Sequence, residues 1–129
     1  MKFFLTIFIY VSSINFIHAG HHEDLSMDGQ NPFILIARIQ VKAGMVEEYL
    51  EIADEVDKAV ELSEPGMLFH NFDADPDDPL AFTWTEVYSN SNAFIKHDAN
   101  PPVQEYVVKH AELADGFTIE IYGDVSKDV

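Results

Sequence analysis

Three histidines in the second half of the sequence, His70, His97 and His110, and one carboxylate set among aromatic residues, Glu86, are the side chains suited to moving a proton near neutral pH. Histidine titrates there in its ordinary state, and a carboxylate or carbonyl partner selects which ring nitrogen is free to act. Glu86 lies in Trp84-Thr-Glu-Val-Tyr88, where strand alternation puts Trp84, Glu86 and Tyr88 on one side. Partial desolvation there raises a carboxyl group above its usual range unless a donor compensates. His70 shares its alternation with Leu68 and Phe72 and is expected to face the interior, where a lone histidine is more often a satisfied core residue. His110, beside Lys109 and Glu112 in a helical stretch, is expected in solvent. A second chemistry sits upstream. Cleavage after Ala19 would expose Gly20-His21-His22, whose amine, amides and third-position imidazole form a square-planar site for copper or nickel; cleavage after Gly20 would leave His21 as an N-terminal histidine. The aspartates at 73, 75 and 77 begin like a calcium loop, but Asp78 and Trp84 stand where the turn glycine and the bidentate glutamate belong, so a solvated hairpin is expected.

These residues need a scaffold, and the chain's length and charge bound it. Lys2 followed by an apolar run from Phe3 to Ile17 and then His18-Ala19-Gly20 has the layout of a secretory signal. Residues 1–19 are therefore expected to be removed on export to the periplasm or outside, with no stable membrane insertion of the remainder. Ser12, Ser13 and Asn15 interrupt the alternative, a retained anchor. The rest suffices for one core. The formal net charge is −16 and becomes more negative when Lys2 leaves, which argues against nucleic acid or an anionic membrane as partner. With no cysteine, an exported domain has neither disulfide nor lipid-attachment thiol, so its core must suffice.

Residues 20–32 lack periodicity and read as a flexible leader, and 126–129 as a tail. Between them, Phe33 to Lys42 reads as a strand apolar on both faces at its start. From Met45 apolar residues recur at three- and four-residue steps among acidic ones, an amphipathic helix stopped by Pro65-Gly66. Met67 to Asp73 and Leu80 to Tyr88 read as an antiparallel pair joined by the Asp/Pro turn. A short helix over Asn92 to Asp98 follows, then Pro101-Pro102 as an interruption. A second helix from Val103 to Ala114 is closed by Asp115-Gly116, and a half-buried strand runs from Phe117 to Val125.

The order is α+β, a ferredoxin-like βαββαβ (split βαβ) with a four-stranded antiparallel sheet and helices on one face. The other face then needs a cover. Phe82, Trp84, Glu86 and Tyr88 form an alternation set too aromatic to leave in water, and an exposed apolar sheet face marks an association or ligand-binding surface.

Taken together, Val41-Lys-Ala-Gly44, Glu64-Pro-Gly66, Asp75-Pro-Asp-Asp-Pro79 and Glu86-Val-Tyr88 followed by Ala93 and His97 resemble the antibiotic biosynthesis monooxygenase domain of the dimeric α/β-barrel superfamily. The resemblance covers 33–125. It implies a homodimer whose sheets pack face to face, with a cavity in each subunit between sheet and helices. It also implies cofactor-independent monooxygenation of a small phenolic or quinol-like aromatic, without metal or flavin. His97 falls where the family pattern carries a histidine, and Glu86 where it carries a glutamate that orients the base or accepts a second proton. His70 is a further candidate base. Trp84, Tyr88, Phe69, Phe82 and Arg38 are candidate substrate contacts, Tyr88 standing where many relatives have tryptophan. The haem-degrading branch is disfavoured, because Ala37, His97 and Val107 occupy the positions of its asparagine, tryptophan and histidine. A phosphorylated substrate is disfavoured too, since Arg38 and Lys42 are the cations at hand. A non-catalytic exported binder of a small ligand or copper is the alternative.

Overall fold

The computed structural model describes residues 31–129. The expected signal peptide, nearly all of the leader, and the Gly20-His21-His22 terminus lie outside the described residues. Seven elements follow in order: β1 (Phe33–Val41), α1 (Val46–Ser63), β2 (Met67–Ala74), β3 (Ala81–Tyr88), α2 (Ser91–Asp98), α3 (Pro101–Leu113) and β4 (Ala114–Tyr122). The strands form one antiparallel sheet in the order β2-β3-β1-β4. This is the split βαβ arrangement expected from the pattern.

Strand alternation and helix periodicity meet in one core. Phe33, Leu35, Ala37, Ile39 and Val41 of β1 are buried beneath Tyr49, Ile52, Ala53, Val56 and Val60 of α1. Phe82, Trp84 and Tyr88 of β3 share that side, opposite Ile39, Ala37 and Phe33 in register. The aromatic set of β3 is therefore the floor of the core under the helices, and not an uncovered face awaiting a partner. Register decides this: Leu35 opposite Glu86 and Ala37 opposite Trp84 align the inward residues of both strands. The uncovered face carries Ile34, Ile36, Thr83, Thr85, Val87, Phe69 and Tyr122 instead. Among the described residues the apolar start of β1 is thus covered on one face only, Ile34 remaining exposed.

Two boundaries differ from the sequence reading. Two helices are separated before Pro101 as expected, but the second opens at Pro101 and not at Val103, since a missing N–H costs nothing where the first helical donors have no intrahelical acceptor. Asp115-Gly116 does not close it: β4 begins at Ala114, directly after Leu113. A register shift against β1 between Ile39 and Val41, with Gly116 at φ 98°, absorbs the change of direction as a bulge. Beyond the bulge the inward side of β4 outruns α3, leaving Ile119 54% exposed. The Asp/Pro hairpin is closed by its own side chains, Asp75 Oδ1 accepting from the Asp77 amide at 2.9 Å and Asp78 Oδ1 from the Leu80 amide at 2.9 Å.

Gly66 sets the distance between the end of α1 and the start of α2. A Cβ placed there would lie 2.7 Å from Ala93 Cβ, and the Gly66 carbonyl accepts the Ser89 amide at 2.9 Å. Gly66→Ala is expected to destabilise the fold by about 1–3 kcal/mol through overpacking, read as a lower urea midpoint at unchanged m-value.

Candidate active site

A cavity of about 130 Å³ lies between the sheet and all three helices. Its floor is Leu35, Ala37, Trp84 and Glu86; α1 contributes Val56, Asp57 and Val60, α2 contributes Phe94, His97 and Asp98, and α3 contributes Val103, Tyr106 and Val107. His70 closes it from β2, and Phe117 and Ile119 from β4. The volume is close to that of an engineered apolar cavity of ~150 Å³ that admits benzene, so one aromatic ring fits.

His97 stands on α2, which is started by Asn90, whose side-chain oxygen accepts the Ala93 amide at 3.0 Å. Because Gly66 lets α2 approach, one turn further along His97 Nδ1 lies 2.9 Å from Glu64 Oε2. Glu64 is the C-cap of α1, where Pro65 ends the helix and turns the side chain toward the cavity wall. Its other oxygen accepts from Asn100 Nδ2 at 2.6 Å. Both partners are largely shielded, with side chains 13% and 9% exposed. An ionised carboxylate only accepts, so Nδ1 carries the proton and Nε2 of the neutral ring is left as a base.

Glu86 was expected to orient His97 or to accept a second proton; the carboxylate hydrogen-bonded to His97 Nδ1 is that of Glu64. Glu86 Oε2 instead accepts from the Tyr88 hydroxyl at 2.6 Å. Burial pushes the Glu86 carboxyl above its ordinary value near 4.5; the charge of His97, when that ring is protonated, and the Tyr88 hydrogen bond only partly oppose this, and Glu64 adds to it. Burial likewise raises the Tyr88 phenol, helped by the Glu86 charge, so Tyr88 stays a donor. His70 Nδ1 contacts Asp57 Oδ1 of α1, making a second histidine–carboxylate pair on the same cavity wall. His70 does share its face with Phe72, whereas Leu68 falls at a register irregularity between Met67 and Phe69 and is exposed.

Glu86, raised in the folded state, binds a proton that the unfolded chain has already released. Its stabilising contribution is complete below about pH 4.5 and is lost as pH rises through the folded value. Glu86→Gln keeps an oxygen for Tyr88 and removes this loss. Its thermal midpoint is expected to exceed that of the wild type at pH 7, with the gap closing toward pH 4.5.

Trp84, His97, Glu86 and His70 are thus brought together around one cavity, with Tyr88 behind Glu86 and Phe82 stacked on Phe72 at 5.2 Å deeper in the core. Phe69 and Arg38 are not part of it. Phe69 pairs with Val87 on the uncovered face and is 50% exposed, because it alternates against His70 and Phe72, which face inward. Arg38 alternates outward with Ile34 and Ile36 and binds Glu120 Oε1 at 2.6 Å. His110, expected in solvent, is 3% exposed. Its helix presents Val103, Tyr106, His110 and Leu113 inward, and the polar neighbours Lys109 and Glu112 belong to the other side. Sequence reasoning missed the roles of Glu64, Asp57 and Tyr106. Glu64 had a signal, a carboxylate immediately before the Pro-Gly stop; Asp57 was hidden among the many acidic residues of α1.

The sequence profile of the antibiotic biosynthesis monooxygenase family matches residues 32–109. Among solved structures, the fold is similar to a protein of Shewanella oneidensis with a TM-score of 0.68 at 23% identity, covering 74% of this chain and 92% of that one. It is also similar to a candidate antibiotic biosynthesis monooxygenase of Caulobacter crescentus, with a TM-score of 0.70 at 17% identity over 76% of this chain and 93% of that one. A protein of Methanosarcina mazei gives a TM-score of 0.67 at 20% identity over 73% and 93%. Comparison with curated proteins gives no significant match. At these identities the structures speak for the fold, and the profile, spanning well over half of the sequence, speaks for descent: the chain belongs to the antibiotic biosynthesis monooxygenase family.

Proposed function

We propose that this protein is a cofactor-independent monooxygenase of a single-ring phenol or quinol. The observation that carries the reading is the His97–Glu64 pair, with its tautomer fixed, on the wall of an apolar cavity the size of one ring. His97 Nε2 takes the hydroxyl proton and leaves an electron-rich phenolate, which itself supplies the electrons to dioxygen. For a phenol the balance is one O2 consumed, one oxygen atom placed on the ring to give a quinone, and the other leaving as water. No metal or flavin is invoked, because the substrate anion is the reductant. Burial of the phenolate against Trp84 and Tyr106 favours it only if the proton stays nearby, which Glu64 ensures by stabilising imidazolium.

The reading extends to an exported homodimer. Export is supported by the composition of residues 1–19. Dimerisation is supported by family membership and by the uncovered sheet face, where Ile34, Phe69 and Tyr122 are exposed side by side with Thr83 and Thr85. Among the described residues no helix is long and apolar enough to cross a membrane. Copper capture by Gly20-His21-His22 is a separate proposal, open to a copper(II) titration of the mature protein.

Oxygen uptake by the purified protein over a panel of one-ring phenols and quinols, beside bulkier tricyclic ones, tests the activity. Turnover is expected for the one-ring members. A wild-type rate no higher than that of His97→Ala across the panel would sink it and leave a binding module.

A further inference from the structure

Behind the cavity lies a buried polar chain that the reaction above does not use. Trp84 Nε1 donates to the Tyr106 hydroxyl at 2.9 Å, the Tyr106 and Tyr49 hydroxyls are 2.5 Å apart, and the Tyr49 hydroxyl is 2.7 Å from His110 Nδ1. The chain crosses from β3 through α3 and α1 and returns to α3. It ends at a ring stacked on Phe117 at 3.8 Å. His110 lies just beyond the residues that the family profile matches.

Hydrogen-bond inventory gives the chain a direction. The Trp84 indole N–H can only donate, so the Tyr106 oxygen accepts from it, and the Tyr106 proton finds its acceptor in the Tyr49 oxygen. Tyr49 is left to donate to His110 Nδ1, which places the proton of the neutral ring on Nε2. Tyr49 then donates to His110, Tyr106 donates to Tyr49, and Trp84 donates to Tyr106. Every donor points toward His110, and the Tyr106 oxygen keeps one lone pair. Tyr106 lines the cavity, and its phenol feels the charge of Glu86 across it. Burial keeps both tyrosines protonated, so they conduct protons and do not act as bases. Burial, with the Lys42 charge, keeps His110 neutral at rest and able to accept. The titratable and charged groups facing it are Tyr49 from α1, Tyr106 from its own helix and Lys42 after β1.

We propose that Tyr106, Tyr49 and His110 form a second proton exit from the cavity, serving a ligand hydroxyl that His97 does not reach. The ligand O–H bond breaks as its proton passes to the Tyr106 oxygen. The Tyr106 proton passes to Tyr49, and the Tyr49 proton to His110 Nδ1. One proton is moved, no electron changes hands, and the chain ends reversed with His110 as imidazolium. Tyr106 is the residue that touches the ligand; Tyr49 and His110 act through it. A substrate with two ring hydroxyls, a quinol, uses both exits. The proposal rests on the phenol reading of the cavity but not on reaction with oxygen.

The test uses 4-nitrophenol, whose ionised form is coloured, at a pH where the free probe is neutral, without turnover. Nitrogen NMR of the imidazoles reads His110, and absorbance reads the bound phenolate. In His97→Ala, bound probe is expected to be ionised and His110 to become imidazolium. In His97→Ala/Tyr49→Phe, where the buried ring remains and the link is cut, the ionised fraction is expected to fall by at least about tenfold, with His110 neutral. The unsubstituted protein needs no folding control; there 4-nitrocatechol, which carries two hydroxyls, should protonate His110 as well, one proton going to His97 and the other through Tyr106. His110 left neutral when 4-nitrophenol binds to His97→Ala or 4-nitrocatechol to the unsubstituted protein, or equal ionisation of 4-nitrophenol in the double variant, overturns the relay alone. Absence of phenol binding overturns the cavity reading as well, whereas absence of oxygen uptake with an intact NMR response overturns only the oxygenase.

Discussion

In oxygen-uptake assays on the best one-ring substrate, His97→Ala is expected to lower kcat/KM by about 10²–10⁴-fold, the usual weight of a positioned general base. The loss should fall mainly on kcat, because the cavity walls that hold the ring, Leu35, Val60 and Trp84, are untouched. Glu64→Gln separates orientation from basicity. Its amide still meets His97 Nδ1, but it no longer stabilises the imidazolium and can present an N–H where an acceptor is needed. Activity should fall less than in His97→Ala, and a Glu64→Gln loss as large as that of His97→Ala would mean that the carboxylate does more than orient the ring.

The largest loss of stability is expected for Trp84→Ala, about 3–5 kcal/mol, a sizeable part of the ~5–15 kcal/mol that holds a domain together. Trp84 is 5% exposed, lies 4.5 Å from Phe72 centroid to centroid, and meets Tyr106 edge-on at 6.3 Å. Removing it enlarges the existing cavity, so the walls have little reason to collapse inward. It also removes the hydrogen bond that the Tyr106 hydroxyl accepts, although that hydroxyl keeps its bond to Tyr49. Urea denaturation followed by circular dichroism should show a lower midpoint at a similar m-value. Trp84→Phe retains most of the ring volume and should lose less, which separates packing from the hydrogen bond.

Much of the fold was legible because periodicity is a local property. The three- and four-residue steps of α1 and the alternation of β3 and β4 are set by where apolar residues fall along the chain, and the Pro-Gly stop after Glu64 follows from proline's missing donor. Proline was misread only where its position relative to a helix start mattered, at Pro101. Asp115-Gly116 was misread because a glycine with positive φ serves a helix exit and a strand bulge equally well.

The sequence by itself determined the α+β order, the apolar face of α1, and a short roster of side chains able to move protons, including His97, His70 and Glu86. It did not determine which side of the sheet the helices cover, because alternation defines two faces without naming the inner one. Only the register of β1 against β3 put Trp84 and Glu86 inside and left Phe69 and Arg38 outside. Tertiary packing also chose the partners. Glu64 and His97 are 33 residues apart, and Tyr49 and His110 are 61 apart. Such pairs depend on how closely helices approach, permitted for Glu64 and His97 by a missing Cβ at Gly66, and no local pattern encodes that distance.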